Sequence, residues 1–308
     1  ERGLPFYEHM QHSVRKFRTP LSITFAFVAT HNHFVLDRGG KVFNRSAPVI
    51  KLPAGSSVEE HLRLLGLLNS SVGNFFCRQT CFPKGGDSVG TEGARVSKNP
   101  WEDRLERSGA AIAKFPLVDT DRRLLDLTEA LDQLGGECHP DLEFTVQGLQ
   151  EAQQQREEIF RKMVALQEEL DWHVYGLYGL HDDPPAHPME SLPAIVPGER
   201  AFEIVLARLV EQGVENDLWF TRHGITPRTT VPEHWPESYR QVVQQRISLI
   251  ENERFFKLLE TPVHKRRWSR EAWPDLVKRK LMEKLLDHLE TQYYWPQMIE
   301  QFLLELAL

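Results

Sequence analysis

The stretch FAFVATHNHFVLDRGGKVFNRSAPVIKLP, residues 25–53, alternates apolar runs with turn-forming residues. Phe, Val, Ile and Thr favour β-strands, and the Gly39-Gly40 pair accepts the positive φ that a tight turn requires. Pro48 and Pro53 restrict any strand beside them to its end or to a sheet edge. A small sheet is therefore predicted over residues 21–28, 34–36, 42–43 and 49–52.

A helix is predicted to follow this sheet, over the segment HLRLLGLLNSS at residues 61–71. Ser56 or Ser57 can cap its first turn, where Glu59 and Glu60 also face the positive end of the helix dipole. Leucines recur at helical spacing along the segment, and the Asn-Ser-Ser at its end marks where the helix stops.

From Asp121 onward, leucines at helical spacing replace the strand-like runs. Helices are predicted over residues 121–134, 147–170, 199–212, 235–259 and 273–308, and five prolines between residues 182 and 197 indicate a linker. The predicted fold class is therefore α+β, a mixed α/β module followed by a mainly helical region. The predicted domains are a module at 1–118, a helical connector at 119–182, a Pro-rich linker at 183–198 and a helical C-terminal domain at 199–308.

The charge of the chain is unevenly distributed, although its 308 residues, 41% of them hydrophobic, have the composition of a globular protein. The net charge is −7, but residues 1–118 hold 16 Lys and Arg against 10 Asp and Glu, whereas the remainder holds 21 against 34. Phosphate contacts need local rather than global positive charge. The asymmetry favours a DNA-facing module on an acidic body, and a chance asymmetry on a protein surface is the alternative.

The sequence has no feature of a membrane or disulfide-bonded protein. No apolar run approaches the ~20 residues that cross a bilayer, and no charged-then-apolar leader opens the chain. Three cysteines are too few for a disulfide framework, so a cytoplasmic location is expected. Cys77 and Cys81 have no second pair, which favours packed thiols over metal ligands. The chain opens with Glu1 rather than Met, and we expect a fragment of a longer protein.

The tripeptide His31-Asn32-His33 is open to several interpretations. His31 and His33 share one face of a strand and could form a metal pair, but no third ligand is evident. An HNH nuclease motif extends over a ββα element, so a contiguous tripeptide does not match it. The remaining interpretations are a polar rim of the sheet and a surface that faces DNA.

Two basic regions could contact a nucleic acid. The first occupies predicted turns and loops of the N-terminal part, and it comprises Arg38, Lys41, Arg45, Lys84 and Arg95. Arginine can bind guanine bidentately in the major groove and asparagine can bind adenine in the same way, so Asn44 joins this set. The second region is KRRWSREAWPDLVKRK, residues 265–280, in which tryptophans stand among basic residues. A solvated helix face is an equally good interpretation of the second region.

The sequence of residues 25–71 resembles that of the target-recognition domain of TaqI-type adenine DNA methyltransferases. It is most similar to the PglX methyltransferases of the BREX and phage-growth-limitation defence systems. Three further segments of the sequence are similar to the same family. They are MVALQEELDWHVYGLYGL at 163–180, WFTRHGITPRTTVPEHWPESYRQVVQQRISLIE at 219–251 and ETPVHKRRW at 260–268. Three separate segments that follow one another in the same order as in the family are a more specific signal than any one segment alone.

This resemblance implies that residues 1–118 select a DNA site for an N6-adenine methyltransferase that uses S-adenosylmethionine and acts in phage defence. The implied partners are double-stranded DNA, an N-terminal methyltransferase domain and other phage-defence proteins. No catalytic, cofactor or metal residue is assigned here, because no glycine-bearing cofactor turn is found and Asp183-Pro184-Pro185-Ala186 lacks the aromatic residue of the adenine-binding element. The implied DNA-facing residues are His31, Asn32, His33, Arg38, Lys41, Asn44, Arg45, Lys84 and Arg95.

Two other functions stay open at this point. One is a helical protein-interaction scaffold of a defence complex, with the sheet as a minor cap. The other is a metal-dependent nuclease that uses His31 and His33. Duplex binding that weakens steeply with salt would separate a DNA reader from a scaffold, and metal-dependent cleavage would identify a nuclease.

Overall fold

The computed structural model describes residues 21–39, 41–84, 88–89, 95–96, 99–138 and 141–292, and its fold class is α+β, as predicted. Over these residues every strand lies before residue 107, and no helix has the length and apolarity needed to cross a membrane. The strands are β1 (Ser22–Phe25), β2 (Val28–Ala29), β3 (Phe34–Asp37), β4 (Val49–Ile50), β5 (Phe82–Pro83), β6 (Ser88–Val89), β7 (Arg95–Val96) and β8 (Leu105–Glu106). The helices are α1 (Val58–Asn69), α2 (Ser71–Thr80), α3 (Gly109–Ile112), α4 (Arg122–Glu137), α5 (Val146–Leu177), α6 (Ala201–Glu211), α7 (Leu218–His223), α8 (Glu237–Asn252), α9 (Arg254–Leu259) and α10 (Trp273–Gln292).

The first sheet has the strand order β3-β1-β4, and both neighbours run antiparallel to β1. Phe25 of β1 pairs with Phe34 of β3, and their buried rings lie 5.2 Å apart. The connection between these strands is the loop at 26–33, whereas the predicted glycine turn comes after β3. Gly39 has a positive φ of 98°, and Gly40 lies outside the described residues.

The prediction of a strand at residues 42–43 is wrong. Val42 is 74% exposed, so it offers no apolar contact that would hold a strand on the core. The chain instead turns at Asn44, whose side-chain oxygen accepts a hydrogen bond from the Ser46 N–H at 2.9 Å. Only after this turn does β4 return to β1, where Ile50 pairs with Ile23.

The loop at 26–33 joins two strands of the first sheet, β1 and β3, and it contains β2, which belongs to a second sheet. This strand is the first in a second sheet of order β2-β8-β5, in which β8 is antiparallel to both neighbours. Strands β6 and β7 form a separate antiparallel pair. The loop is therefore held at both ends by the first sheet and in its middle by the pairing of β2 with β8.

Serines define both ends of α1. As predicted, Ser57 begins the helix: its hydroxyl accepts from the Glu60 N–H, and the Glu60 carboxylate accepts from the Ser57 N–H at 2.7 Å. This reciprocal capping satisfies amide groups that a first helical turn leaves unpaired. Ser70 ends α1 and caps α2, since its hydroxyl accepts from the Gly73 N–H at 3.1 Å. The Asn-Ser-Ser segment thus joins two helices.

Two asparagine side chains attach the first sheet to α1. Asn69 accepts from the Phe34 N–H at 3.0 Å and donates to the Phe34 carbonyl at 2.9 Å, as a neighbouring strand would. Asn32 donates to the Leu68 carbonyl at 2.6 Å. These amides satisfy backbone groups that a strand edge and a helix end would otherwise leave unpaired.

The main core lies where the first sheet, α1 and α2 pack on α4 and on the C-terminal half of α5. Gly66 of α1 permits a close approach to α4, because a Cβ at this position would overlap the Thr128 hydroxyl and lie 3.1 Å from Leu124 Cδ1. Cys77 and Cys81 are free, buried thiols in this core, as predicted. The other buried members include Ile23, Phe25, Phe34, Leu36, Leu62, Leu65, Leu67, Leu68, Leu124, Leu125, Leu127, Leu166, Leu170 and Val174.

The described residues divide into two compact units. The first contains the residues up to Gly136 together with Arg161–Arg267, and the second contains Glu137–Phe160 and the residues from Trp268 onward. The proline-rich segment is packed within the first unit, since Arg246 donates to the Pro185 carbonyl and the His187 N–H donates to Glu169. The domain boundaries drawn from the sequence stay predictions.

Candidate functional site

The loop at 26–33 is held from inside the protein by Arg107, the residue after β8. Its backbone N–H donates to the Phe27 carbonyl at 2.7 Å, and its guanidinium donates to the Ala29 carbonyl at 2.9 Å. The same guanidinium lies 3.3 Å from Asn32 Oδ1. Arg107 is only 1% exposed, so it brings positive charge beneath the loop without meeting solvent.

Two further arginines converge on Thr30 in this loop. Arg78, in the last turn of α2, donates to the Thr30 carbonyl at 3.1 Å and to the Pro100 carbonyl at 2.7 Å. Arg267 donates to the Thr30 hydroxyl, which also lies 3.1 Å from Nδ1 of His31. Carbonyl and hydroxyl acceptors are uncharged, so these contacts orient the guanidinium groups without neutralising them.

We call the guanidinium groups around this loop the arginine cluster: Arg78, Arg107, Arg266 and Arg267. Their charge, together with burial, keeps the neighbouring histidines unprotonated. Burial first, and then Arg267 and Arg266, lower the pKa of His31 to about 3. The pKa of His33 is lowered by loss of hydration, then by Arg266 and Arg107. His31 is therefore neutral at pH 7, and the positive charge of the site comes from arginine.

Acidic side chains neutralise this cluster only in part. Asp103 raises the pKa of Arg78, but burial outweighs it and lowers that pKa to about 10. Burial likewise lowers the pKa of Arg267, against the opposing effect of Glu102, which is itself paired with Arg222 at 3.1 Å. Such a cluster is suited to bind an anion, above all the oxygens of a phosphate.

The cluster reaches solvent through some of its members. Arg78, Arg266 and Arg267 are half-buried, and His33 is exposed beside them. Asn32 is 5% exposed and has its amide engaged by Leu68 and Arg107, so the structure places it as a support of the loop. The half-buried arginines and His33 can therefore meet a ligand directly, whereas Arg107 and Asn32 lie beneath the loop.

A second pair of cations flanks the ring of Phe27, at the start of the same loop. Arg45 Cζ lies 5.8 Å and Lys84 Nζ 5.6 Å from the ring centroid, within the range of cation–π attraction. Lys84 also forms an ion pair with Glu106 of β8. The structure thus brings together two of the basic residues that the sequence singled out.

The remaining predicted residues are more dispersed. Arg38 pairs with Asp132 of α4 at 2.5 Å, and Lys41 is exposed in the segment that leads to β4. Asn44 uses its side-chain oxygen to shape its own turn. Arg95 lies on β7, and its side chain is outside the described residues.

The second basic region of the sequence is divided between different environments. Lys265 is 1% exposed, and its ammonium group lies 3.1 Å from Glu168, 2.8 Å from Asp171 and 3.1 Å from Glu260. These carboxylates raise its pKa although burial opposes them. The next two residues of the run join the arginine cluster instead. In the second unit, Arg270 pairs with Glu157 at 2.5 Å.

Sequence reasoning missed Arg78 and Arg107 as site residues. Arg78 lies in an uncharged stretch of α2, and Arg107 ends a stretch in which acidic and basic residues are mixed, so no run of basic residues marks either one. Only tertiary contacts show that both reach the same loop. Arg266 and Arg267 lie in a basic run that could be detected, but nothing in it indicates which members turn inward.

The two histidines of the loop are the candidate metal pair of the sequence. The rings of His31 and His33 lie 6.2 Å apart in an edge-to-face arrangement. Over the residues that the structure describes, no group of three His, Cys, Asp or Glu side chains could hold a metal ion.

Comparison with known proteins relates the chain to one relative. Residues 163–305 match a family model described as a domain of unknown function, DUF7008. Over 95% of its length the chain is 46% identical to the adenine-specific methyltransferase PglX of Streptomyces coelicolor, and it spans about a quarter of that protein, 25%. No solved structure gives a significant match. The chain is therefore homologous to one segment of PglX, and the resemblance of its sequence to that family is confirmed at this level.

Proposed function

We propose that this chain is the DNA target-recognition part of an adenine-specific methyltransferase that acts in phage defence. The observation that carries the proposal is the arginine cluster, whose charge is only partly neutralised and whose half-buried members reach solvent beside the loop at 26–33. The similarity to PglX supports the enzyme class, because that relative is an adenine-specific methyltransferase. The positive balance of residues 1–118 supports the choice of surface.

In this proposal the surface around the loop at 26–33 makes two kinds of contact with duplex DNA, to backbone phosphates and to bases. Arg78, Arg266 and Arg267 bind backbone phosphates, which fix the register of the protein on the duplex. Arg45 and Lys84, which both lie close to the Phe27 ring, extend the same basic surface. Base reading then falls to exposed groups of the segment at 41–48 and to His33, since phosphate contacts alone carry no sequence information.

Methyl transfer itself belongs, in this proposal, to a different part of the enzyme. S-adenosylmethionine and the target adenine bind to a catalytic domain outside this sequence, because the residues of this chain match neither a cofactor turn nor the adenine-binding element. The role of the chain is then to hold the duplex and position the site. Other phage-defence proteins are proposed partners of the whole enzyme.

The two other candidate functions are not favoured. A nuclease that uses His31 and His33 needs a metal site, and the described residues offer no third ligand near these rings. A pure protein-interaction scaffold does not explain why several arginines converge on one loop. It also gives no account of the similarity to an adenine-specific methyltransferase.

The decisive experiment measures the affinity of the whole chain for a mixed-sequence duplex of ~30 base pairs between ~50 and ~200 mM salt by fluorescence anisotropy. Neutralising several phosphates makes log affinity fall linearly with log salt, with a slope of about −0.9 for each phosphate. We expect a slope that corresponds to several phosphates, together with no binding of S-adenosylmethionine in calorimetry. A chain that fails to bind duplex DNA at the lowest salt, or that cleaves DNA when a divalent metal is added, contradicts the proposal.

A further inference from the structure

The first unit contains a cavity of about 730 Å³ whose lining includes no residue of the loop at 26–33. Its floor is apolar and comes mainly from α6, through Phe202, Val205, Leu206 and Leu209. Trp101 and Trp219 form one wall, with their rings 5.5 Å apart and nearly perpendicular. A cavity of this size, with aromatic walls and a few polar groups, is typical of a binding site for an organic molecule or a side chain.

The charge around this cavity is mainly negative. Glu215, Glu251 and Glu260 line it, against Lys257 as the one cation among its lining residues. Two helices also end here, since Arg208 in the last turn of α6 pairs with Glu251 near the end of α8 at 2.9 Å. Helix C-termini carry partial negative charge from their unpaired carbonyls, which adds to that of the carboxylates.

Glu260 is the most deeply buried of these carboxylates, with 4% of the residue exposed. Its Oε1 accepts from the Tyr175 hydroxyl at 2.5 Å and from Lys265 at 3.1 Å, whereas its Oε2 has no hydrogen-bond partner among the described residues. Lys265 is shared with Glu168 and Asp171, so its single charge does not balance the carboxylates around it. Excess negative charge therefore lies behind the cavity wall.

We propose that this cavity binds an organic cation on an apolar stem, either a small aryl-alkyl amine or the side chain of a lysine in a partner protein. The stem packs on the floor formed by α6, and the ammonium group lies among Glu215, the helix ends and the faces of the tryptophans. Tryptophan is the aromatic side chain that attracts cations most strongly. The lining of this site includes no member of the arginine cluster, although Arg78 donates to the carbonyl of the lining residue Pro100, and its test does not depend on DNA binding.

The test uses the whole chain and three probes of similar shape and different charge. They are 2-phenylethylammonium, neutral 2-phenylethanol and anionic 3-phenylpropionate, and the dissociation constants are measured by ligand-observed NMR. We expect the cation to bind at least tenfold more tightly than the alcohol and the anion not to bind. A capped Phe-Lys peptide, whose only positive charge is the lysine side chain, shows which kind of molecule supplies the cation. Binding equal to or tighter than that of the amine indicates a partner protein. Weaker binding indicates a small molecule.

Two variants locate the binding. Leu206→Trp fills the floor of the cavity and is expected to abolish binding of the cation. Glu215→Gln changes only an exposed charge and is expected to weaken binding at least threefold, whereas Glu233→Gln, at an exposed position outside the cavity, leaves it unchanged. The proposal is overturned if the alcohol binds as well as the amine, if no probe binds, or if Glu215→Gln and Glu233→Gln behave alike. It is also overturned if folded Leu206→Trp retains the affinity of the native chain.

Discussion

The guanidinium of Arg267 donates a hydrogen bond to the hydroxyl of Thr30, which lies 237 positions earlier in the chain. The segment that carries Arg267 is anchored close by, since Asn74 of α2 donates to the carbonyls of Val263 and His264 at 3.3 and 3.0 Å. The arginine cluster is therefore assembled from distant parts of the sequence. A fragment that ends near residue 118 would lack half of it.

Replacing Arg267 by glutamine is expected to weaken binding to all duplexes and to lower the salt slope by about one, because one phosphate contact is lost. Arg254→Gln, at an exposed position of α9, is the matched control and should leave both quantities unchanged. Anisotropy titrations at several salt concentrations measure both effects. Equal behaviour of the two variants would place the DNA surface elsewhere on the molecule.

The histidine beside Thr30 gives a second readout of the same cluster. We expect the native His31 imidazole to stay neutral down to about pH 4, because burial, Arg267 and Arg266 lower its pKa to about 3. Unfolded His31 binds a proton more readily, so its contribution reduces the free energy of unfolding as the pH falls from about 6.5 towards 3. Arg267→Gln should raise this pKa part of the way, since burial, the larger cause, remains.

NMR titration of the imidazole resonances measures both values, with Arg254→Gln again as the control. A midpoint near the ordinary value of about 6.5 in the native chain would show that the arginines do not act on His31.

Local patterns predicted much of the fold but little of the site. Runs of β-branched and aromatic residues located β1 and β3, and Ser57 with Glu60 located the start of α1, because these signals depend on near neighbours in the sequence. No local signal shows that Asn69 serves as a strand partner for Phe34. No local signal shows either that the Lys265 side chain is buried, because its burial depends on carboxylates from α5 and on Glu260.

The close approach of α1 to α4 can be tested with a pair of glycines. Gly66→Ala places a methyl group against Thr128 and Leu124, and we expect a loss of roughly 1–3 kcal/mol in the free energy of unfolding. Gly135→Ala, in α4 with nothing within 4 Å of the added Cβ, should instead stabilise the protein by up to about 1 kcal/mol through helix propensity. Urea denaturation compares them, and a Gly66→Ala variant as stable as Gly135→Ala would show that the helices separate easily.

Glu168 is expected to make the protein less stable as the pH rises. Burial raises the pKa of its carboxyl to about 7 in the folded state, although Lys265 opposes the shift, and the ordinary value is 4.5. Between these values the unfolded chain loses a proton that the folded chain keeps, so the free energy of unfolding falls as the pH rises through this window. Glu168→Gln removes this titration. The variant should match the native chain near pH 4 and exceed its stability by roughly 1–3 kcal/mol at pH 8.5.

Chemical denaturation at pH 4, 6 and 8.5 measures this difference, and Glu158→Gln, at an exposed position of the same helix, is the control. Glu168 lies 3.1 Å from the Lys265 ammonium, which already faces Asp171 and Glu260, so the lysine keeps two carboxylate partners when Glu168 becomes an amide. If Glu168→Gln proved less stable than the native chain at pH 8.5, the ionised carboxylate would be a necessary partner of Lys265.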